Sequence, residues 1–220
     1  SALLKNPKLA AELVEATVKG TSLPVSVKTR IGINGLELEW FIQFCKDMEN
    51  AGAQLLSIHG RTAKQMYTGV ADWDPIYEVK KHVNIPVIGN GDIKSAADAL
   101  AKIGNLDGVM VGRGTMGNPW LMREIAAAFN KEKYTPPQSF EDKLPTIFRH
   151  CELNVESKGE HRGMLEMRKH FAGILKGFEG ASEYRARVVK IETLKEAYEV
   201  LEEVRLLIKN AKPLKTEFFD

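Results

Sequence analysis

The fold of this chain is decided by residues 85–114, which read IPVIGNGDIKSAADALAKIGNLDGVMVGRG. Two apolar runs, at 86–89 and 109–111, each end at a glycine-rich loop and are too short to form helices. Uninterrupted apolar runs of this length are typical of parallel strands that are buried on both faces. Between them, Ser95 has the position of a helix N-cap, and Asp98 completes a capping box for a helix through Ala101. The stretch therefore predicts strand, loop, helix, strand and loop.

The same alternation extends to both sides of this stretch. Residues 24–30 and 55–59 predict two earlier strands, and helices are predicted at 7–19 and about 36–50. A further helix is expected with Asp74 as its cap, and another from Pro119 to Phe129 with Asn118 as its cap. These four βα units predict a parallel sheet in an α/β fold. They occupy about 130 residues, against about 250 for a complete barrel, so the sequence accounts for half of a TIM (β/α)8 barrel.

The remaining residues lack strand patterns. Residues 131–138, KEKYTPPQ, read as a linker. Ser139 with Asp142 and Thr193 with Glu196 have the spacing of capping boxes, and the segments that follow are amphipathic. Three to four such helices predict a small all-helical bundle. The expected domains are therefore a partial (β/α) barrel at 1–130, a linker at 131–138 and a helical domain at 139–220.

Composition restricts the possible partners and location. The 220 residues carry 31 Lys and Arg against 29 Asp and Glu, so a nucleic-acid surface would have to be a local patch. Cys45 and Cys151 are too far apart in sequence to suggest a disulfide framework or a metal site, which favours a reducing, cytoplasmic setting. No apolar run approaches the length of a membrane span, and no signal peptide is visible.

Polar residues lie at the C-terminal ends of the four predicted strands. They are Lys28, His59, the Asn90, Gly91 and Asp92 triplet, and the Gly112 and Arg113 pair. Ligands of parallel α/β sheets bind at the carboxyl ends of the strands, so these residues predict one site. The glycine loops and Arg113 suit a phosphate group, through backbone N–H donors and a forked cation. Lys28 and His59 would then face the rest of the ligand, which leaves a flavin enzyme and a sugar-phosphate isomerase both open.

Five segments together resemble the tRNA-dihydrouridine synthase family: VKTRIG, SIHGRT, IPVIGNGDI, DGVMVGRGTMGNPW and RKHFAGILKG. The resemblance implies the C-terminal half of the barrel and an FMN-dependent, NADPH-consuming reduction of tRNA uridines to 5,6-dihydrouridine. On the matching positions, Lys28 and His59 would contact FMN. The phosphate end of FMN would be held by Asn90, Gly91, Asp92, Gly112 and Arg113. Arg30 and Arg61 would be substrate-side or structural cations, and Arg168 and Lys169 would contact tRNA.

The resemblance also implies that the general-acid cysteine of the family lies upstream of this chain. Cys45 and Cys151 fall within predicted helices and read as small buried hydrophobic residues. We therefore expect no catalytic residue and no metal site here, an inactive fragment, and a monomer when the protein is full length. Two alternatives stay open: another FMN barrel reductase that acts on a small molecule, and a non-catalytic RNA-binding fragment. The cations between residues 162 and 195 favour RNA binding, although a mixed, solvated helix surface has the same composition.

Overall fold

The computed structural model describes residues 2–210, which divide into two compact units. Unit 1 contains residues 2–115 and 121–133, and unit 2 contains residues 116–120 and 134–210. The boundary between 133 and 134 falls inside the segment that the sequence predicts as a linker, where residues 132–138 form neither helix nor strand. Residues 211–220 of the predicted helical domain, and Ser1, lie outside the described residues.

Unit 1 is an α/β structure built on a four-stranded parallel sheet, as the alternation of short apolar runs and helices predicts. The strands are β1 (Ser26–Arg30), β2 (Leu55–His59), β3 (Val87–Asn90) and β4 (Gly108–Met110), in the spatial order β1-β2-β3-β4. Its helices are α1 (Pro7–Lys19), α2 (Leu38–Asn50), α3 (Asp74–His82), α4 (Ala96–Lys102) and α5 (Leu121–Phe129), with short 3-10 turns at Ala2–Lys5 and Arg113–Thr115.

The register of the sheet aligns the last residues of the strands. Arg30 pairs with His59, His59 with Asn90, and Asn90 with Met110. Because side chains alternate between the faces of a strand, these paired residues share one face. The opposite face carries fully buried residues such as Leu56 and Val87, which belong to the same core cluster as residues of α2 and α3. The helices thus cover the face that carries Leu56 and Val87. The candidate site lies on the other face, at the polar carboxyl edge of the sheet.

Three predicted helix starts can be compared with the structure. The Ser95 hydroxyl accepts from the Asp98 N–H at 3.0 Å, which confirms the cap of α4, whereas the Asp98 carboxylate accepts from the Lys94 N–H. Asp74 was expected to cap α3, but it is the first helical residue and its own N–H donates to Asp72. Sequence spacing alone could not separate these two neighbouring aspartates.

The predicted start of α5 at Pro119 was wrong, because the helix begins at Leu121. Residues Met116–Trp120 cluster instead with unit 2, and Trp120 packs against its core. In the same segment the backbone of Gly117 lies against that of Gly173 so closely that a Cβ on Gly117 would come within 2.6 Å of it. Packing with unit 2 therefore overrides the local helix-start signal of Asn118 and Pro119.

Every regular element that the structure describes in unit 2 is a helix. It contains α6 (Phe140–Lys158), α7 (Glu160–Ile174), α8 (Ala181–Val188) and α9 (Leu194–Asn210). Both predicted capping boxes are confirmed: Ser139 exchanges hydrogen bonds with Asp142, and Thr193 with Glu196. The core of the unit includes Phe171, Leu175 and Leu201, all of them inaccessible to solvent.

Candidate functional site

The carboxyl edge of the sheet brings together side chains from all four strands. His59 and Asn90 lie side by side in the register that also contains Arg30, and Lys28 lies two residues earlier on the same face of β1. The Asn90 Nδ2 donates to the Met110 carbonyl at 2.8 Å, which ties the end of β3 to the end of β4. The structure therefore places three of the residues predicted to bind a cofactor on one surface.

The loop after β3 depends on a glycine. Gly91 has a φ of +144°, and a Cβ at this position would lie 2.4 Å from the Cβ of Ala71. The next residue, Asp92, is also left-handed with a φ of +47°. Its carboxylate accepts from the Arg61 Nη2 at 2.7 Å and from the Ala71 N–H at 2.8 Å. The Asp92 side chain thus connects the loop after β3 with the loop after β2.

Hydrogen bonds decide the protonation state of Asp92. Its partial burial by itself would raise the pKa of the carboxyl group, but the bonds from Arg61 and Ala71 outweigh that effect and hold the pKa below its ordinary value. Asp92 is therefore an anion at neutral pH. Its negative charge neutralises Arg61, which is only 2% exposed.

Arg30 and Arg61 both hold the loop that follows β2. Arg30 Nη1 donates to the carbonyls of Thr62 and Met66, each at 2.9 Å. Arg61 donates to the carbonyls of Thr68 and Gly69, at 3.1 and 2.7 Å. The sequence left open whether Arg30 and Arg61 contact the substrate or have a structural role. These bonds favour the structural role for both arginines.

The phosphate-binding residues expected on β4 are accessible. A Cβ on Gly112 would meet no atom of the described residues within 4 Å, so its backbone faces open space. The Arg113 side chain is 51% exposed and lies 3.5 Å from Asp92, the one ion pair that it forms within residues 2–210. An open glycine backbone beside an accessible guanidinium group is the arrangement that anions use.

Two buried donors in the same region have no partner among the described residues. They are the Arg61 Nη1 and the indole Nε1 of Trp73. The position of a Cβ on Gly91 would be 3.7 Å from that indole nitrogen, so this donor lies at the loop after β3. Buried donors normally have acceptors, from protein, water or ligand. The accessible Gly112 backbone and Arg113 guanidinium group, by contrast, fit a phosphate-bearing cofactor such as FMN.

His59 and Lys28 have perturbed acid–base properties. Burial lowers the pKa of His59 to about 4, and the charges of Arg30, Lys28 and Arg61 add to the effect. His59 is therefore a neutral imidazole at physiological pH, able to donate from one ring nitrogen and accept at the other. The pKa of Lys28 is also lowered, mainly by partial burial and then by the charge of Arg30.

The sequence analysis missed Tyr67, which lies in the loop after β2. Its ring centroid is 4.4 Å from the Arg113 Cζ, 5.8 Å from the Arg30 Cζ and 6.4 Å from the His59 ring. Tyr67 thus lies beside residues at the carboxyl ends of three different strands. The one signal in the sequence is an aromatic residue five positions after the HGRT segment that ends at Thr62.

Neither cysteine belongs to this surface. Cys45 lies in α2 and Cys151 in α6, and both are fully buried thiols in apolar cores. Burial raises the pKa of both thiols, that of Cys151 to about 12. This confirms their interpretation as small buried hydrophobic residues.

Arg168 and Lys169 belong to unit 2. The Arg168 guanidinium donates to the Ile191 carbonyl at 3.1 and 2.8 Å, so it fastens α7 to the segment before α9, while Lys169 is exposed.

Across residues 2–210, no group of three or more His, Cys, Asp or Glu could hold a metal ion. None of the helices in that range is long and apolar enough to cross a membrane.

Comparison with known proteins gives a consistent match. The sequence model for dihydrouridine synthase (Dus) matches residues 1–212. The probable tRNA-dihydrouridine synthase of Mycobacterium leprae is 41% identical over 202 residues, which cover 89% of this chain and 52% of that protein. The probable tRNA-dihydrouridine synthase 1 of Synechocystis is 37% identical over 205 residues, covering 92% of this chain and 57% of that protein. The chain thus spans about half the length of the curated relatives it matches.

Solved structures give a weaker likeness. Dihydrodipicolinate synthase from Bacteroides thetaiotaomicron aligns with 97% of this chain and 67% of its own, with 11% identity and a TM-score of 0.39. A likeness at this level carries no argument about fold or function.

Proposed function

This chain belongs to the dihydrouridine synthase family, and on that premise we propose that the protein reduces uridines of tRNA to 5,6-dihydrouridine with FMN and NADPH. The observation that carries the proposal is the carboxyl edge of the sheet, where the accessible Gly112 and Arg113 follow β4 and where His59 and Lys28 lie on β2 and β1. The hydride for the uracil double bond would come from FMN that NADPH has reduced. We further propose that residues 1–130 are four units of a TIM barrel.

The phosphate end of FMN would bind where anion donors are concentrated. Gly112 leaves room for close approach of a phosphate oxygen, and Arg113 supplies a forked cation. Asn90 and Gly91 would form the other side of this pocket. Asp92 would not touch the phosphate through its carboxylate, which is an anion bonded to Arg61; it would instead shape the loop.

The ring of the cofactor would lie towards Lys28 and His59. A lysine cation beside the pyrimidine edge of a flavin stabilises the negative charge that develops there on reduction. His59 is neutral because burial and three neighbouring cations disfavour its protonation, so it would position the ring by a hydrogen bond and not by charge. Its placement beside Arg30 and Asn90 in the strand register supports this role.

The proton that completes the reduction needs a separate donor. Cys45 and Cys151 cannot supply it, because both thiols are buried and have raised pKa values. We propose that the acid is a cysteine of the whole protein outside these 220 residues. The match of this chain to only about half of its relatives' length is compatible with that proposal.

Unit 2 is proposed to bind tRNA. The target base must leave its stack to reach the cofactor, which costs a few kcal/mol, and contacts elsewhere on the tRNA must offset this. Exposed cations such as Lys169, Lys176 and Lys190 support the proposal. Other cations of the unit pair with glutamates, for example Arg187 with Glu203, so the patch is less basic than the sequence suggests.

The test is reduction of a tRNA transcript that lacks modifications by the purified, FMN-loaded full-length protein with NADPH, with dihydrouridine measured by mass spectrometry of the nucleosides. A matched reaction uses tRNA that already contains dihydrouridine. Formation of dihydrouridine only in the first reaction would support the proposal. NADPH consumption that does not depend on tRNA would favour a small-molecule reductase, and tRNA binding without FMN binding would favour an RNA-binding fragment.

We propose that the full-length protein acts as a cytoplasmic monomer.

A further inference from the structure

The loop after β2 holds an exposed aromatic side chain in a fixed position. Tyr67 is 56% exposed, so it adds little to the hydrophobic core. The carbonyl before it, of Met66, accepts from Arg30, and the carbonyl after it, of Thr68, accepts from Arg61. Met66 also has a φ of +50°, a conformation that costs free energy in a non-glycine residue. A loop tied on both sides in this way presents Tyr67 and does not bury it.

The direction in which the loop presents Tyr67 is informative. The Tyr67 ring lies under the Arg113 guanidinium, with 4.4 Å between the ring centroid and Cζ. Aromatic faces attract a cation within about 6 Å of the centroid. The carboxylate of Asp92 also contacts Arg113, but more loosely, at 3.5 Å, because its closer partner is Arg61 at 2.7 Å. Tyr67 therefore supports the Arg113 head group through the face of its ring, and Asp92 contacts the edge of the guanidinium through one long ion pair.

We propose that Tyr67 is a positioning residue that holds the guanidinium of Arg113 in place for the phosphate group of FMN. The inference rests on the proposed function. An arginine that is half exposed would otherwise lose rotamer freedom when it binds a phosphate. A carboxylate that holds the guanidinium occupies its N–H groups, and the negative charge of the carboxylate repels a phosphate. An aromatic face contacts the plane of the guanidinium and leaves its N–H donors free for the ligand.

The test compares two flavins, FMN, which carries the phosphate group, and riboflavin, which lacks it. Affinities for FMN and for riboflavin would be measured by flavin fluorescence on the purified protein and on Tyr67→Ala, Tyr67→Phe, Arg113→Ala and the Tyr67→Ala/Arg113→Ala double variant. Tyr67→Ala should weaken FMN binding by about three-fold, the effect of an exposed cation–π contact, and leave riboflavin binding unchanged. Tyr67→Phe keeps the ring and should match the parent protein.

The double variant tests whether Tyr67 acts through Arg113. If it does, Tyr67→Ala should have no further effect on FMN binding once Arg113 is alanine. Equal losses for FMN and riboflavin, an unchanged FMN affinity, or additive effects would each overturn the inference. Thermal melting of every variant shows whether folding is intact, and Tyr67→Leu, which also lacks an aromatic face, replaces Tyr67→Ala where that variant unfolds. Failure of the parent protein to bind FMN would instead refute the proposed function.

Discussion

Replacing Asp92 with asparagine should destabilise unit 1, because the change leaves the buried Arg61 guanidinium without its counter-charge. The two side chains are 2% and 19% exposed, and Arg61 Nη2 lies 2.7 Å from Asp92 Oδ2. Breaking a buried ion pair by removing one partner typically costs about 3–5 kcal/mol. The asparagine oxygen can still accept from the Ala71 N–H, and water reaches Asp92, so we expect a loss of about 2–3 kcal/mol.

The loss should depend on pH. The folded-state pKa of Asp92 lies below the unfolded value of about 4, so its contribution is present above that pH and disappears as the pH falls through the folded pKa. Below that range, parent protein and Asp92→Asn should have similar stabilities. Above it, the full difference should appear.

Amide hydrogen exchange of peptides from β2 and β3 measures the opening of unit 1 separately from that of unit 2. The matched control is Glu78→Gln, which removes an exposed ion pair with Lys81 in the same unit and should cost less than about 0.5 kcal/mol. An Asp92→Asn variant as stable as Glu78→Gln at neutral pH would show that the Arg61–Asp92 ion pair does not stabilise unit 1.

Three further substitutions test other parts of the structure. The pKa of His59 is about 4 in the folded protein, below its ordinary value of 6.5, so protonation between these pH values favours the unfolded state. When the pH is lowered from 7 to 5, the melting temperature of His59→Gln should therefore fall less than that of the parent protein. Gly112→Ala should leave the melting temperature unchanged, since its Cβ meets no described atom, but weaken FMN binding about ten-fold or more by blocking phosphate approach. Phe171→Ala should destabilise unit 2 by about 3–5 kcal/mol, since the ring is fully buried, as measured by urea unfolding.

Each of these has an outcome that would contradict it. Equal acid sensitivity of His59→Gln and the parent would show that His59 does not titrate as described. Riboflavin is the control for Gly112→Ala, and an equal loss for both flavins would argue against a phosphate contact. The control for Phe171 is Leu165→Ala on the same helix, which is 39% exposed and should cost less than about 1 kcal/mol. A similar loss for both residues would contradict the proposed core.

Features carried by local sequence were predictable to within a residue or two. Strand β2 at Leu55–His59 and helix α1 at Pro7–Lys19 have the predicted bounds, since each depends on an apolar pattern and on its flanking residues. The caps at Ser95 and Ser139 were also predicted, because a cap is a contact between residues three positions apart. The start of α5 was predicted two residues too early, at Pro119, since packing of Met116–Trp120 within unit 2 competes with the local signal.

The candidate site was predictable only in part. Successive parallel strands end at one edge of a sheet, so the positions of Lys28 and His59 near the ends of their strands were enough to expect them there. The same rule says nothing about side chains on the loops. Tyr67 lies eight residues after His59, and its approach to Arg113 depends on two arginines bonded to the carbonyls that flank it.

The amino-acid sequence was enough to predict the α/β alternation, the parallel sheet, and the edge of the sheet where polar residues collect. These follow from hydrophobic periodicity, glycine positions and short-range caps, all of which act between neighbours in the chain, while the family was predicted from the resemblance of five segments. The burial of Arg61 against Asp92, the neutral state of His59 and the position of Tyr67 under Arg113 became visible in the folded structure alone. Burial and charge environment arise from residues 20 to 50 positions apart, and no local pattern encodes those distances.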